Sequence, residues 1–436
     1  MRTTGRSKLI ELEGLRGVAA MIVLFHHFLL FVAPRLHGRN FPDDPIALVR
    51  TPLFALVNGS AAVAIFFVLS GFVLTLSAME KRDWRALLVG ALKRWPRLVP
   101  LVVTVNMLSA VFFLLGLYRD DGWFNLARYL GAGGFEQGAS VIRGALAEGV
   151  FSTFVYGKTD FNAALWTMHY ELFGSFAAYA TGLILIFQKS LSRAMAVGAV
   201  ATVVTATMTG EGGFYYAMLV AGVIIARAYI ERGSVASALS FIYPWRMPII
   251  LGTACLAVVL CGYDGYSKPV GFYSFMAGFA SPQIEPLVHG VAAAALLVLV
   301  LFCDPVRRRL VGPTARLLGR LSFPIYLVHL PILHGLVAPI HSGMAARFGG
   351  IVAAPAAFVL LMVLVLAAAY PLAYLDEWWI CILRAGLGGR QFSVRLSKQN
   401  AETSRGAINS SGMPTNRSEA GDNAPLSALG SHSPVD

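Results

Sequence analysis

Apolar stretches of about 20 residues, each long enough to cross a bilayer as one helix, recur along most of this chain. That repeat constrains the fold more than any single motif does. Composition agrees with it: of 436 residues 57% are hydrophobic and 13% charged, with mean hydropathy +0.66. A soluble domain holds about 45–50% apolar and about 25% charged residues. The expected fold is all-α, a polytopic transmembrane helical bundle of about ten spans. The spans are placed near residues 15–33, 59–77, 98–117, 163–187, 194–209, 213–230, 247–263, 286–303, 322–341 and 351–373.

Charge sets the expected orientation. The net charge of +12 is not that of a nucleic-acid binder, because the basic residues lie in short clusters between apolar runs and are not interleaved with aromatics. With the N-terminus inside, about three-quarters of the 35 Lys and Arg residues fall on cytoplasmic segments, as the positive-inside rule requires. Both termini are therefore expected in the cytoplasm. The Arg2–Lys8 segment precedes a first span that is interrupted by His26 and His27, which suits a retained helix better than a cleaved signal. Thr209–Gly210–Glu211–Gly212–Gly213 is turn chemistry joining two spans into a tight hairpin. Residues 118–162 are expected as an outer loop with a short surface helix. The domain division is 1–386 for the transmembrane unit and 387–436, rich in Ser, Asn, Gly and Pro, for a disordered cytoplasmic tail. Cys255, Cys261, Cys303 and Cys381 have no CxxC spacing and suggest neither disulfides nor a metal site.

Five polar motifs interrupt the apolar runs. Arg16 and His27 are eleven residues apart, which returns to nearly one helix face about 16 Å along the axis. An imidazole in the membrane is a functional candidate; neutral, it could take a proton from a hydroxyl. A structural histidine bonded to a neighbouring helix fits the span equally. In Phe66–Phe72, Gly71 permits close helix approach and Ser70 is able to bond across helices, which is also ordinary packing. Arg94 and Arg97, beside Pro96, could clamp a phosphate-bearing ligand or serve only as positive-inside charge. Trp166 and Glu171 open the fourth span from outside. Glu171 is expected to be paired, conceivably with a histidine that it orients, whereas Trp166 also suits an aromatic belt. Ser322, Tyr326 and His329 recur at spacings of four and three and form one polar stripe facing the bundle interior.

Together and in this order, the five motifs resemble the membrane-bound acyltransferase-3 family, from about Leu12 to the end of the tenth span. The family's arginine, ten residues, then histidine falls on Arg16 and His27, and its Ser-Gly-Phe signature on residues 66–72. Its paired arginines fall on Arg94 and Arg97, its tryptophan-to-glutamate motif on Trp166 and Glu171, and its tyrosine–histidine signature on Tyr326 and His329. The resemblance implies an O-acyltransferase that moves an acyl group, commonly acetyl, from cytoplasmic acyl-coenzyme A to a hydroxyl on an extracytoplasmic or membrane-associated glycan, glycolipid or related acceptor. It implies that His27 acts in catalysis with Arg16 and Glu171, and that Arg94, Arg97 and Ser70 serve the acyl-coenzyme A. Trp166, Ser322, Tyr326 and His329 support them. No cofactor is expected to be permanently bound; acetyl-coenzyme A is the donor substrate. The expected partners are that donor, a carbohydrate or lipid-linked acceptor and the lipid bilayer, with no nucleic acid and no metal. Phe173–Gly174 loosens the family's usual aromatic after the glutamate. Some members carry a C-terminal hydrolase-like domain; a separate extracytoplasmic transfer protein would have to supply one here. Short loops favour a bacterial inner membrane. The competing expectation is a transporter or flippase whose polar residues line a pathway, against which stands the absence of paired half-repeats.

Overall fold

The computed structural model describes residues 9–118, 134–208, 212–233, 244–278, 281 and 283–387. The Arg2–Lys8 segment, most of the 209–213 turn and the tail beyond 387 lie outside the described residues. Among them are helices α1 (Ile10–Val32), α2 (Pro34–His37), α3 (Gly59–Glu80), α4 (Trp84–Leu114), α5 (Gly134–Ala147), α6 (Thr153–Tyr156), α7 (Trp166–Ile186) and α8 (Leu191–Met208). Then follow α9 (Gly213–Ile230), α10 (Arg246–Cys261), α11 (Ile284–Phe302), α12 (Asp304–Arg309), α13 (Pro313–Ile332), α14 (Ala338–Phe348) and α15 (Gly350–Leu387). No strand occurs among the described residues, and the protein is a polytopic helical bundle. The bundle is built from residues up to Ile380.

Each of the ten expected spans falls on a helix. Seven helical stretches are long and apolar enough to cross a membrane: α1, α3, α4, α9, α11, α13 continued through α14, and α15. Helices α8 and α10 are apolar but shorter, and α7 carries the Trp166–Glu171 motif at its start.

Small residues set the helix spacing, as expected where lipid provides no hydrophobic drive between helices. Helices α1 and α13 run parallel: Gly17 lies against Leu318 and His27 against His329. A Cβ on Gly17 would come within 2.6 Å of Leu318 Cβ, and one on Gly319 within 2.5 Å of the Glu13 carbonyl. Helices α3 and α9 approach as closely, since a Cβ on Gly71 would sit 1.8 Å from the Leu219 carbonyl oxygen. The close approach expected at Gly71 is therefore real.

Prolines inside helices release carbonyls, and side chains from other elements take them up. Pro100 has no N–H to offer Pro96 O, which accepts instead from Trp379 Nε1 at 2.7 Å. Pro331 likewise frees Leu327 O, which accepts from Asn162 Nδ2 at 2.8 Å. Each bond ties a distant segment to a kink.

One expectation changes. The described part of 118–162 is no surface loop but packs into the bundle against α4. A π-helical turn, Glu148–Ser152, lies between α5 and α6, and a Cβ on its Gly149 would come within 2.8 Å of Val103 Cα. The buried Glu148 carboxylate accepts from the backbone N–H groups of Asp160 and Phe161, both at 3.1 Å. A carboxylate that satisfies two amides lets this irregular chain run below the surface. No periodicity announces such an arrangement.

Gly71→Ala should lower detergent-solubilised stability by about 1–3 kcal/mol or prevent accumulation, because backbone cannot yield as a side chain can. Gly252→Ala, with open space around it, should be neutral. Thermal unfolding followed by fluorescence-detected size exclusion measures both.

Candidate active site

Two polar layers interrupt the apolar bundle, one at each level of α1. The first is a charge layer. The Arg94 guanidinium donates to the Glu171 carboxylate and, at 3.3 Å, to Ser70 Oγ, while Ser70 Oγ donates to Glu171. Arg97 makes a two-pronged pair with Asp376 of α15, with Nη2–Oδ2 at 3.0 Å. Arg16 stands in the field of all four charged groups, yet among the described residues no hydrogen bond or ion pair engages it. Glu171 does not meet a histidine, as the sequence suggested; its partner is Arg94, and it belongs to the arginine layer. With three guanidiniums and two carboxylates, the formal charge there is one positive in excess. The reason is geometric: α7 follows the packed segment Gly134–Tyr156 and starts at the level of Tyr326, so its second turn, with Glu171, reaches the level of Arg94.

About 16 Å further along α1 lies a histidine layer. His27 Nδ1 is 3.0 Å from its own helix's Val23 O and 3.2 Å from His329 Nε2. His329 Nδ1 is 2.7 Å from Tyr326 O. Carbonyl oxygens only accept, so in the neutral rings both Nδ1 atoms carry the proton. His329 thus presents its Nε2 lone pair to His27 Nδ1–H, and the lone pair of His27 is on Nε2. Tyr326 Oη donates to Ala164 O at 2.7 Å and accepts from Thr167 Oγ1 at 2.8 Å, locking α13 to the start of α7. Trp166 packs edge-on against Tyr215, ring centroids 5.2 Å apart. Ser322 is buried but turns its hydroxyl to Gly319 O of its own helix at 2.8 Å, and is not joined to either layer.

A third polar group went unread in the sequence. Arg39 donates through Nε and Nη2 to Asp264 Oδ1 at 3.0 and 2.5 Å. Glu285, 1% exposed, holds Oε1 3.9 Å from both Arg39 Nη2 and His289 Nδ1. Asn58 caps α3 through its oxygen and donates through Nδ2 to Cys261 O and Tyr263 O at 2.8 and 2.9 Å. This group adjoins the histidine layer: Gly59 packs on the His26 ring, His26 Nδ1 donates to Val57 O at 2.9 Å, and the His26 and His27 rings are 5.0 Å apart. The available signal was Glu285 and His289, four residues apart at the head of an apolar run and so on one helix face.

A family model described as an acyltransferase domain matches residues 9–374, which takes in every motif residue and all of both layers except Asp376. The chain belongs to the acyltransferase-3 family. A similar protein is the O-acetyltransferase PaAT-1 of Phomopsis amygdali, 25% identical over 389 residues that cover 78% of this chain and 75% of that one. No solved structure matches. The protein is thus an O-acyltransferase, and its apolar helices make it an integral membrane enzyme.

Removing either member of the Arg94–Glu171 pair leaves a buried charge without its partner, at a cost of about 3–5 kcal/mol. Arg94→Ala and Glu171→Ala should each destabilise the enzyme by about that much. The double variant should be at least about 2 kcal/mol more stable than the sum of the singles, measured as a double-mutant cycle of unfolding. Burial and the Arg39 charge push His37, the last residue of α2, down to about 4. An unfolded chain protonates His37 near its ordinary value while the native state does not, so native stability falls as pH drops from about 6.5 towards 4. His37→Gln should make that loss shallower in pH-dependent melting curves.

Proposed function

We propose that this enzyme transfers an acyl group, acetyl in the first instance, from acyl-coenzyme A to a hydroxyl of an extracytoplasmic or membrane-associated glycan, glycolipid or related acceptor, with His27 as general base. The single observation behind this is the His27–His329 pair, whose hydrogen bonds hold the His27 ring in the tautomer with a basic Nε2. The acceptor oxygen attacks the thioester carbonyl, an O–C bond forms and the C–S bond breaks. His27 Nε2 takes the hydroxyl proton and returns it to the departing thiolate sulfur, so no proton is left over. His329 is a positioning residue: it holds the tautomer, and Tyr326 holds its helix.

The charge layer suits the anionic donor. Arg94 and Arg97 are already matched by Glu171 and Asp376, which leaves the excess charge with Arg16 at the centre. A phosphate of coenzyme A meets a guanidinium through two parallel hydrogen bonds. With the N-terminus in the cytoplasm, this layer faces the donor pool and the histidines lie deeper, towards the acceptor. The name of the relative, an O-acetyltransferase, supports acetyl and an oxygen acceptor.

The test uses purified protein in nanodiscs with radiolabelled acetyl-coenzyme A and a lipid and glycan extract of the producing cell. Wild type should label an ester-linked product, and His27→Ala should lower the rate at least about 100-fold at normal folding. Arg16→Ala should raise the KM for acetyl-coenzyme A about tenfold or more. Full activity in His27→Ala would remove the histidine from the chemistry, and uptake of unmodified solute without labelled ester would favour a transporter.

A further inference from the structure

Beside the histidine layer, Ser60 of α3, Trp166 of α7, Tyr215 and Met218 of α9, and Glu285 and His289 of α11 line a small cavity with room for about one water-sized group. Its one acidic group is unusual. Glu285 is 1% exposed, and its Oε1 has no hydrogen-bond partner among the described residues. The two cations and bases nearest to that oxygen, Arg39 Nη2 and His289 Nδ1, both stop at 3.9 Å. Arg39 spends both of its short bonds on Asp264, and His289 Nε2 donates to Tyr263 O at 2.9 Å, which leaves a lone pair and no proton on Nδ1. A buried carboxyl oxygen left without a donor is costly unless something supplies one. The Ser60 hydroxyl and the Gly265 N–H meet the carboxyl group and the field of Arg39 adds to their hold, but Oε1 itself stays without a donor.

Resting on the acyl-transfer reading, we propose that this cavity is an acceptor subsite: Glu285 Oε1 receives a second hydroxyl of the acceptor while the hydroxyl to be acylated lies at His27. Two features favour an acceptor with a second hydroxyl to place there over a simple alcohol. A carboxyl oxygen lacking a donor matches a hydroxyl, which brings one. Connectivity puts the cavity next to the base from two sides. Ser60 follows Gly59, which packs on His26 beside His27. Trp166 precedes Thr167, which bonds Tyr326 of the helix that carries His329. The Arg39–Asp264 pair then positions Glu285 and does not touch substrate.

The experiment compares two acceptors that share a hydroxymethyl group: methyl β-glucoside, with ring hydroxyls, and cyclohexylmethanol, without them. Each is offered to the enzyme in nanodiscs with labelled acetyl-coenzyme A. Wild type should prefer the glucoside, and Glu285→Gln should lower the ratio of the two kcat/KM values about tenfold, mainly through the KM for the glucoside. Equal losses with both alcohols, or a wild type that takes both equally well, would overturn the subsite. If Glu285→Gln does not accumulate, Ser60→Ala on another wall should lower the same ratio about threefold, and an unchanged ratio would overturn it as well. Transfer to neither alcohol, with no coenzyme A released, would bring down the acyl-transfer reading itself.

Discussion

The parallel contact of α1 with α13 is the constraint on which the rest of the site depends. Two glycines, Gly17 of α1 and Gly319 of α13, let the two backbones close to a separation that no Cβ would allow. In that register a turn near the end of α1 meets a turn near the end of α13, and His27 lies against His329. Any side chain at those glycines would push the helices apart and open the imidazole pair. The pair in turn decides which ring nitrogen of His27 is basic, so a packing fact in lipid becomes a chemical one.

The bundle handles its polar groups by mutual satisfaction, as the absence of water in hydrocarbon demands. Arg94 meets Glu171, and Arg97 meets Asp376. Carbonyls released by Pro100 and Pro331 are taken by Trp379 and Asn162. Glu148 covers two backbone amides of the chain that leads into α7. Among the groups outside this economy, two lie near the histidine layer on either side: Arg16 in the charge layer and Glu285 Oε1 in the cavity beyond it. One is a cation and the other a hydrogen-bond acceptor, and they flank His27 from opposite ends. An anionic donor and a hydroxyl-bearing acceptor are the complements of those two groups.

Much of this could be read from the residues alone, and the division is instructive. The helical class and the positions of the spans followed from apolar runs, because bilayer thickness imposes a length that sequence displays directly. Arg16 and His27 could be put on one face since both belong to one helix. The ion pairs could not: Arg94 and Glu171 are 77 residues apart, and their meeting depends on how deep α7 starts. Glu171 was therefore assigned to the outer side, when in fact it shares a layer with the arginines. Segment 118–162 reads as a surface loop because buried irregular chain stabilised by one carboxylate has no periodic signature. The Arg39–Asp264–Glu285 group was missed for a similar reason, being assembled from two loops and a helix end; only the i, i+4 spacing of Glu285 and His289 hinted at it.

The proposed mechanism makes His27 Nε2 the base between a donor side at Arg16 and an acceptor side beyond. The most direct measurement is an electron cryomicroscopy structure of the enzyme in nanodiscs with a non-hydrolysable acetyl-coenzyme A analogue. The mechanism predicts phosphate density against Arg16 and the acyl carbonyl beside His27 Nε2, with the His27–His329 contact intact. An analogue seated elsewhere, with its acyl group away from His27 and Arg16 untouched, would contradict it.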